Sequence, residues 1–107
     1  MKYEELAVWQ KAMDLVTDIC KVSATLPMDE RFGLTSQIRR AAVSIPSNIA
    51  EGHGRKSTGA YLNHLSIAHG SLMEVETQLQ ISARLELIDP DSFPGLIRSP
   101  STNKDQR

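Results

Sequence analysis

Apolar side chains recur at Tyr61, Leu65, Ala68, Leu72, Val75, Leu79 and Ala83, in steps of three and four. Only an α-helix gathers such a series on one side. The segment from Ser57 to Arg84 therefore predicts a helix of roughly 40 Å at about 1.5 Å per residue. Ser57 or Thr58 supplies the N-cap hydroxyl, although no acid stands three residues later to complete a capping box. An apolar ribbon of that length must be buried against something of similar length, and the rest of the chain supplies two candidates.

From Tyr3 to about Thr25, Leu6, Trp9, Met13, Val16 and Cys20 share one helical face, which Ala12, Leu15 and Ile19 widen. Leu26-Pro27 ends this helix, because proline disfavours helical geometry in the residue before it. A short connection through Arg31, Phe32 and Gly33 leads to a second segment, Leu34 to Glu51, with Leu34, Ile38, Ala42, Ile45 and Ile49 in phase. Pro46 lies inside it, removing the hydrogen bond to the Ala42 carbonyl at a cost on the order of 3 kcal/mol. Since Ile45 and Ile49 keep phase with Ile38, the expectation is one kinked helix rather than two. Gly52 and Gly54, on either side of His53, predict a tight turn in which glycine takes positive φ.

A fourth helix starts but does not continue. Asp89-Pro90 reads as an N-cap acid followed by proline at the first helical position. Pro94-Gly95 then stops it, and Ser99 to Arg107 has no apolar face. The sequence thus predicts an all-α fold, an up-down antiparallel bundle of three long helices with a truncated or absent fourth and with helix 2 kinked at Pro46. Residues 1–98 form the bundle domain and 99–107 a disordered polar tail. The 107 residues suffice for one domain with a modest core. The seam left by the fourth helix, along Leu65, Leu72 and Leu79, needs a cover.

Several kinds of chemistry find no support. One cysteine, Cys20, excludes an intramolecular disulfide and any multi-cysteine zinc site, and it lies in an apolar stripe with no base beside it. His64 and His69 are five apart, so they diverge on a helix, and with His53 they make no metal site. Glu74 and Glu76 diverge likewise. Neither a catalytic apparatus nor a cofactor site nor a small-molecule substrate is expected. The absence of a signal peptide or long apolar run predicts a cytoplasmic protein without a membrane partner.

Charge is distributed unevenly within a formal net of −1. Residues 31–56 hold Arg31, Arg39, Arg40, Arg55 and Lys56 against only Glu51, whereas both flanking segments are acidic. A basic helix packed between acidic neighbours accounts for this, and so does an anionic partner. Arg39, Arg40, Arg55 and Lys56 are the candidate contacts to nucleic acid or another partner. Gln37, Ala41, Ser44 and Asn48 form a small, polar stripe beside the apolar one, suited to a hydrogen-bonded seam between helices or to a ligand-contacting surface. Val43 points away from the core and hints at a subunit contact. The turn from Glu51 to Thr58 has glycines, cations and hydroxyls before a helix, but it lacks the spacing and the preceding strand of a nucleotide-binding loop. What survives is a general affinity of the helix end for anions.

Leu6 with Val8-Trp9-Gln10, then Glu30 to Ala42, Ser44 to Gly52, Arg55, and Gly70-Ser71-Leu72 with Glu74 resemble the bacterial four-helix-bundle family of 23S rRNA intervening-sequence proteins. The resemblance covers about residues 3 to 93. It implies an up-down four-helix bundle that assembles into a ring, typically of five subunits, with no known enzymatic activity. It also implies kinship with the accessory proteins of diversity-generating retroelements, which present basic surfaces to nucleic acid and a reverse transcriptase. This chain is slightly acidic where those proteins are strongly basic. In the family a full helix leads from the Asp-Pro start to an ending similar to Gly95 to Ser99, which here follows Phe93-Pro94 directly. Two functions follow as expectations: a non-catalytic, self-associating bundle that contacts RNA through its basic residues, or an adaptor that accepts a partner helix in the open seam.

Overall fold

The computed structural model describes residues 1–92 of the chain. Three α-helices account for most of them: α1 (Ala7–Ser23), α2 (Leu34–His53) and α3 (Thr58–Arg84). No strand occurs among the described residues. The all-α architecture therefore agrees with the periodicity of the sequence.

Side-chain contacts set the helix directions. Arg39, near the start of α2, reaches Ser23 and Cys20 at the end of α1. Ser44 meets Ser71 of α3, and Asn48, further along α2, meets His64, nearer the start of α3. Both adjacent pairs thus run antiparallel, as short connections between helices favour. The middle helix packs against α1 on one side and α3 on the other, while α1 and α3 scarcely meet.

The core is aliphatic. Ile19 of α1, Ile38, Ala42, Ile45 and Ile49 of α2, and Ala68, Val75 and Leu79 of α3 are all buried. The stripe expected on α1 is rotated, however. Ala12 and Ile19 sit deepest, and Met13 is 40% exposed. With one close helical neighbour, α1 aims the Ala12–Ile19–Ser23 line at α2 and leaves the Trp9–Met13 edge to one side. The helix also starts later than its periodicity suggests. Tyr3–Glu5 forms a separate 3-10 turn, and Leu6 is extended before α1 begins.

Pro46 is buried in an unbroken α2. Packing by Ile45 and Ile49 offsets the hydrogen bond that the Ala42 carbonyl forgoes. The glycines behave otherwise than expected. Gly52 lies within the last turn of α2, Gly54 caps it at φ −76°, and no glycine among the described residues has positive φ. Close approach is the reason for glycine at 52. A Cβ there would stand 2.5 Å from the Cβ of His64.

Ser57 caps α3, its hydroxyl accepting from the Ala60 amide at 3.1 Å. At the other end Glu86 takes φ 61°. The Leu87 amide returns to the Ser82 carbonyl and the Glu86 amide to that of Ala83, each at 2.9 Å. This is a Schellman closure with glutamate in the place usually held by glycine. It folds the chain back so that Ile88 enters the core, and Leu79 is wholly buried. The seam expected along Leu65, Leu72 and Leu79 is accordingly narrower, since Leu79 is not available to a partner.

The Asp89-Pro90 signal produces the expected start. Asp89 accepts from the Asp91 amide at 2.9 Å, and Pro90–Ser92 forms a 3-10 turn. The expected stop at Pro94-Gly95, the domain boundary at 98 and the polar tail 99–107 lie outside the described residues.

Two pairs of measurements check this account. Gly52→Ala should lower stability by about 1–3 kcal/mol, because the obstructing atom is anchored to the α3 backbone. Gly70→Ala, where nothing lies within 4 Å of the added carbon, should raise it by about 1 kcal/mol through helix propensity. Opposite shifts in thermal melts are expected. Glu86→Gly should likewise raise the melting temperature, by relieving a left-handed residue worth about 1 kcal/mol, whereas Glu86→Val should lower it.

Candidate interaction surface

The middle helix carries most of the residues singled out in the sequence, and successive positions on it point about 100° apart. That geometry distributes them over three environments. Ser44 and Asn48 face α3, Arg39 faces the end of α1, and Arg40 is exposed.

Toward α3 the polar stripe becomes a hydrogen-bonded seam. The Ser71 hydroxyl donates to Ser44 Oγ at 2.9 Å. The Asn48 amide donates to the Ser44 carbonyl at 2.9 Å and to its hydroxyl oxygen at 3.0 Å, and Asn48 Oδ1 lies 3.1 Å from His64 Nδ1. An Nδ1–H on His64 makes that last contact a hydrogen bond. Small side chains let the two helices approach, and their polar atoms are then satisfied by one another. Gln37, on the same stripe, is exposed and makes no such bond among the described residues. With Arg40, Ala41, Ser44, Ser71 and Glu74 it lines an open cleft of about 480 Å³.

The four candidate cations do not form one patch. Arg39 Nε donates to Ser23 Oγ at 2.8 Å and its Nη2 to the Cys20 carbonyl at 3.3 Å. Its guanidinium thus holds the C-terminal end of α1, where a cation also complements the helix dipole. Arg40 is exposed and makes a long contact, 3.4 Å, to Ser36 Oγ. Arg55 pairs with Glu51 at 2.7 Å on the surface, an arrangement worth about 0.3–0.5 kcal/mol. Lys56 is exposed beside it. Sixteen residues of chain separate Arg39 from Arg55, about 24 Å if wholly helical.

Part of the apolar stripe expected on α1, together with Val43, forms a second, apolar groove. Trp9, Met13 and Val16 of α1 face Val43, Pro46 and Ala50 of α2 across a space of about 320 Å³. Tyr3 closes one end, its ring edge-on to Trp9 at 5.3 Å between centroids. Val43 is 50% exposed. Its outward position on the helical wheel was legible from the sequence, but the company it keeps was not, because that depends on how far α1 is rotated. In the sequence His64 stands out only as a metal ligand that its spacing rejects, and Ser71 only within the family resemblance; neither has a periodic signal that marks it as a partner of α2.

An antiparallel helical layer of this kind, with Arg39, Ser44 and Asn48 holding α2 to its neighbours and an outward surface that is part apolar, defines an all-α helical protein. The chain belongs to the 23S rRNA-intervening sequence protein family, whose model matches residues 4–101. No curated protein matches it. Among the described residues no helix is long and apolar enough to cross a membrane.

Asn48→Ala should cost about 1–3 kcal/mol, since it strips partners from half-buried groups on His64 and Ser44. Gln37→Ala, on the same stripe but solvated, should stay within about 0.5 kcal/mol of the parent protein. Urea unfolding of the two variants measures the difference.

Proposed function

We propose that this chain is a non-catalytic helical-bundle protein of the cytoplasm that works by assembling with copies of itself, in a ring of the kind implied by its family. The observation that carries the reading is the half-open groove of Trp9, Met13, Val16 and Val43. An apolar surface of this sort on α1 and α2 gains most when another chain covers it. In this reading each subunit contributes α2 bent at Pro46 and a truncated fourth helix. Light scattering is expected to give a mass several times that of one chain. Met13→Glu together with Val43→Glu, both on the surface, should reduce it to a single chain while circular dichroism stays unchanged. A wild-type chain that remains single at micromolar concentration would remove the self-association clause.

RNA is the external partner that the remaining exposed cations favour. Of the four candidates, Arg39 and Arg55 have partners within the chain, which leaves Arg40 and Lys56 for phosphate. About two contacts imply a shallow salt dependence, with log affinity falling against log salt at a slope of roughly −1.5 to −2. Filter binding of ribosomal RNA at two salt concentrations tests this, with Arg40→Ala and Lys56→Ala together expected to abolish retention. No retention at low salt would exclude RNA.

The adaptor reading rests on Leu65 and Leu72, half-buried on α3 where α1 is scarcely in contact. Capture of a helical partner, lost on Leu72→Asp and kept on Arg40→Ala, would favour it over RNA.

A further inference from the structure

We infer that Phe32 of one copy seats in the Trp9–Val43 groove of the next, making the contact between subunits head to tail. This inference rests on the self-association proposed above and names the two surfaces that meet. Phe32 is 86% exposed and its neighbour Met28 75%, the most exposed large apolar residues between the chain's first residue and the end of α3. They are not on a loose strand. The Glu30 amide returns to the Pro27 carbonyl at 2.9 Å, Arg31 to Met28 at 3.0 Å, Gly33 to Glu30 at 2.9 Å and Gln37 to Gly33 at 3.0 Å. Leu26, just before, is anchored in the core. A series of hydrogen-bonded turns therefore holds an aromatic residue out in water, and a contact formed from such a pre-ordered backbone loses little further backbone entropy.

The groove has room for that ring. An apolar cavity of about 150 Å³ already admits benzene, and the space between Trp9 and Val43 is about 320 Å³. A chain cannot fill its own groove. Phe32 lies just before α2, whereas the groove centres near Pro46, fourteen residues and about 21 Å along the helix. Charge agrees with the pairing. Arg31 lies over the Phe32 ring at 4.7 Å, so the knob arrives with a cation, and at the groove's end Glu4 and Glu5 follow Tyr3 and outnumber Lys2 before it. Because donor and acceptor are different patches, the contact is heterologous, and repetition closes into a ring when the rotation allows.

Complementation separates this arrangement from other modes of assembly. Phe32→Ala removes the knob and keeps the groove, and Val43→Glu does the reverse; both positions are on the surface. Each variant alone is expected to sediment as a single chain, and an equimolar mixture as a two-chain species through the one intact contact. Phe32→Ala should weaken association about 10- to 100-fold. It should also red-shift the emission of Trp9, the sole tryptophan, at concentrations where the wild type is assembled. If Phe32→Ala assembles like wild type with Trp9 emission unchanged, the knob is refuted while self-association stands. If the mixture stays single-chained although both variants are folded, the head-to-tail pairing is refuted. A wild type that is itself a single chain refutes both this inference and the reading beneath it.

Discussion

The approach of α2 to α3 at Gly52 governs the arrangement of this bundle. Where the His64 Cβ would lie 2.5 Å from a side-chain carbon at position 52, only glycine lets the two backbones stand so close. That proximity brings Asn48 within reach of His64 and Ser44 within reach of Ser71. A wider spacing would leave these groups half-buried without partners, each at a cost of about 1–3 kcal/mol. The small residues and the hydrogen bonds are consequently one device. The first permits the distance, and the second fixes the register once that distance is reached.

Electrostatics on the same helix follows from angular position. Arg39 and Arg40 are adjacent in sequence and 100° apart in space, so one holds the end of α1 while the other meets solvent. A cluster of positive charge in the sequence is thus divided between a structural clamp at Arg39, a surface ion pair at Arg55 and the exposed side chains of Arg31, Arg40 and Lys56. The family to which the chain belongs takes its name from ribosomal RNA, yet few cations remain on this surface for phosphate. The apolar groove between α1 and α2 is the more developed feature.

Much of this was legible before the fold was known. The ribbons Leu34–Ile49 and Tyr61–Ala83 have a single reading, because their phase is uninterrupted and strands cannot reproduce it. Ser57 and Asp89 act as caps as their positions imply. Other features were illegible for a physical reason in each case. Gly52 suggested positive φ, the commonest local reason for glycine near a helix end; the actual cause is a residue twelve positions away. On α1 the apolar residues spread over about half of the circumference at about 100° per residue, so periodicity alone did not decide which edge would face α2, and the exposure of Met13 depends on that decision. Leu79 looked like part of an open seam because the return of Ile88 depends on a left-handed Glu86, a conformation that glutamate does not advertise.

Pro46 divides the middle helix into halves with different attachments. The Ala42 carbonyl receives no amide from position 46, so the ladder of backbone bonds is thinnest there. Before that point α2 is tethered through Arg39 to α1 and through Ser44 to α3, and beyond it through Asn48 and Gly52 to α3. The Asn48 amide, donating to the Ser44 carbonyl and hydroxyl, bridges the gap from one half to the other. A mechanical load on α1 would then reach the α2–α3 seam through Arg39 and Ser44 without crossing the proline.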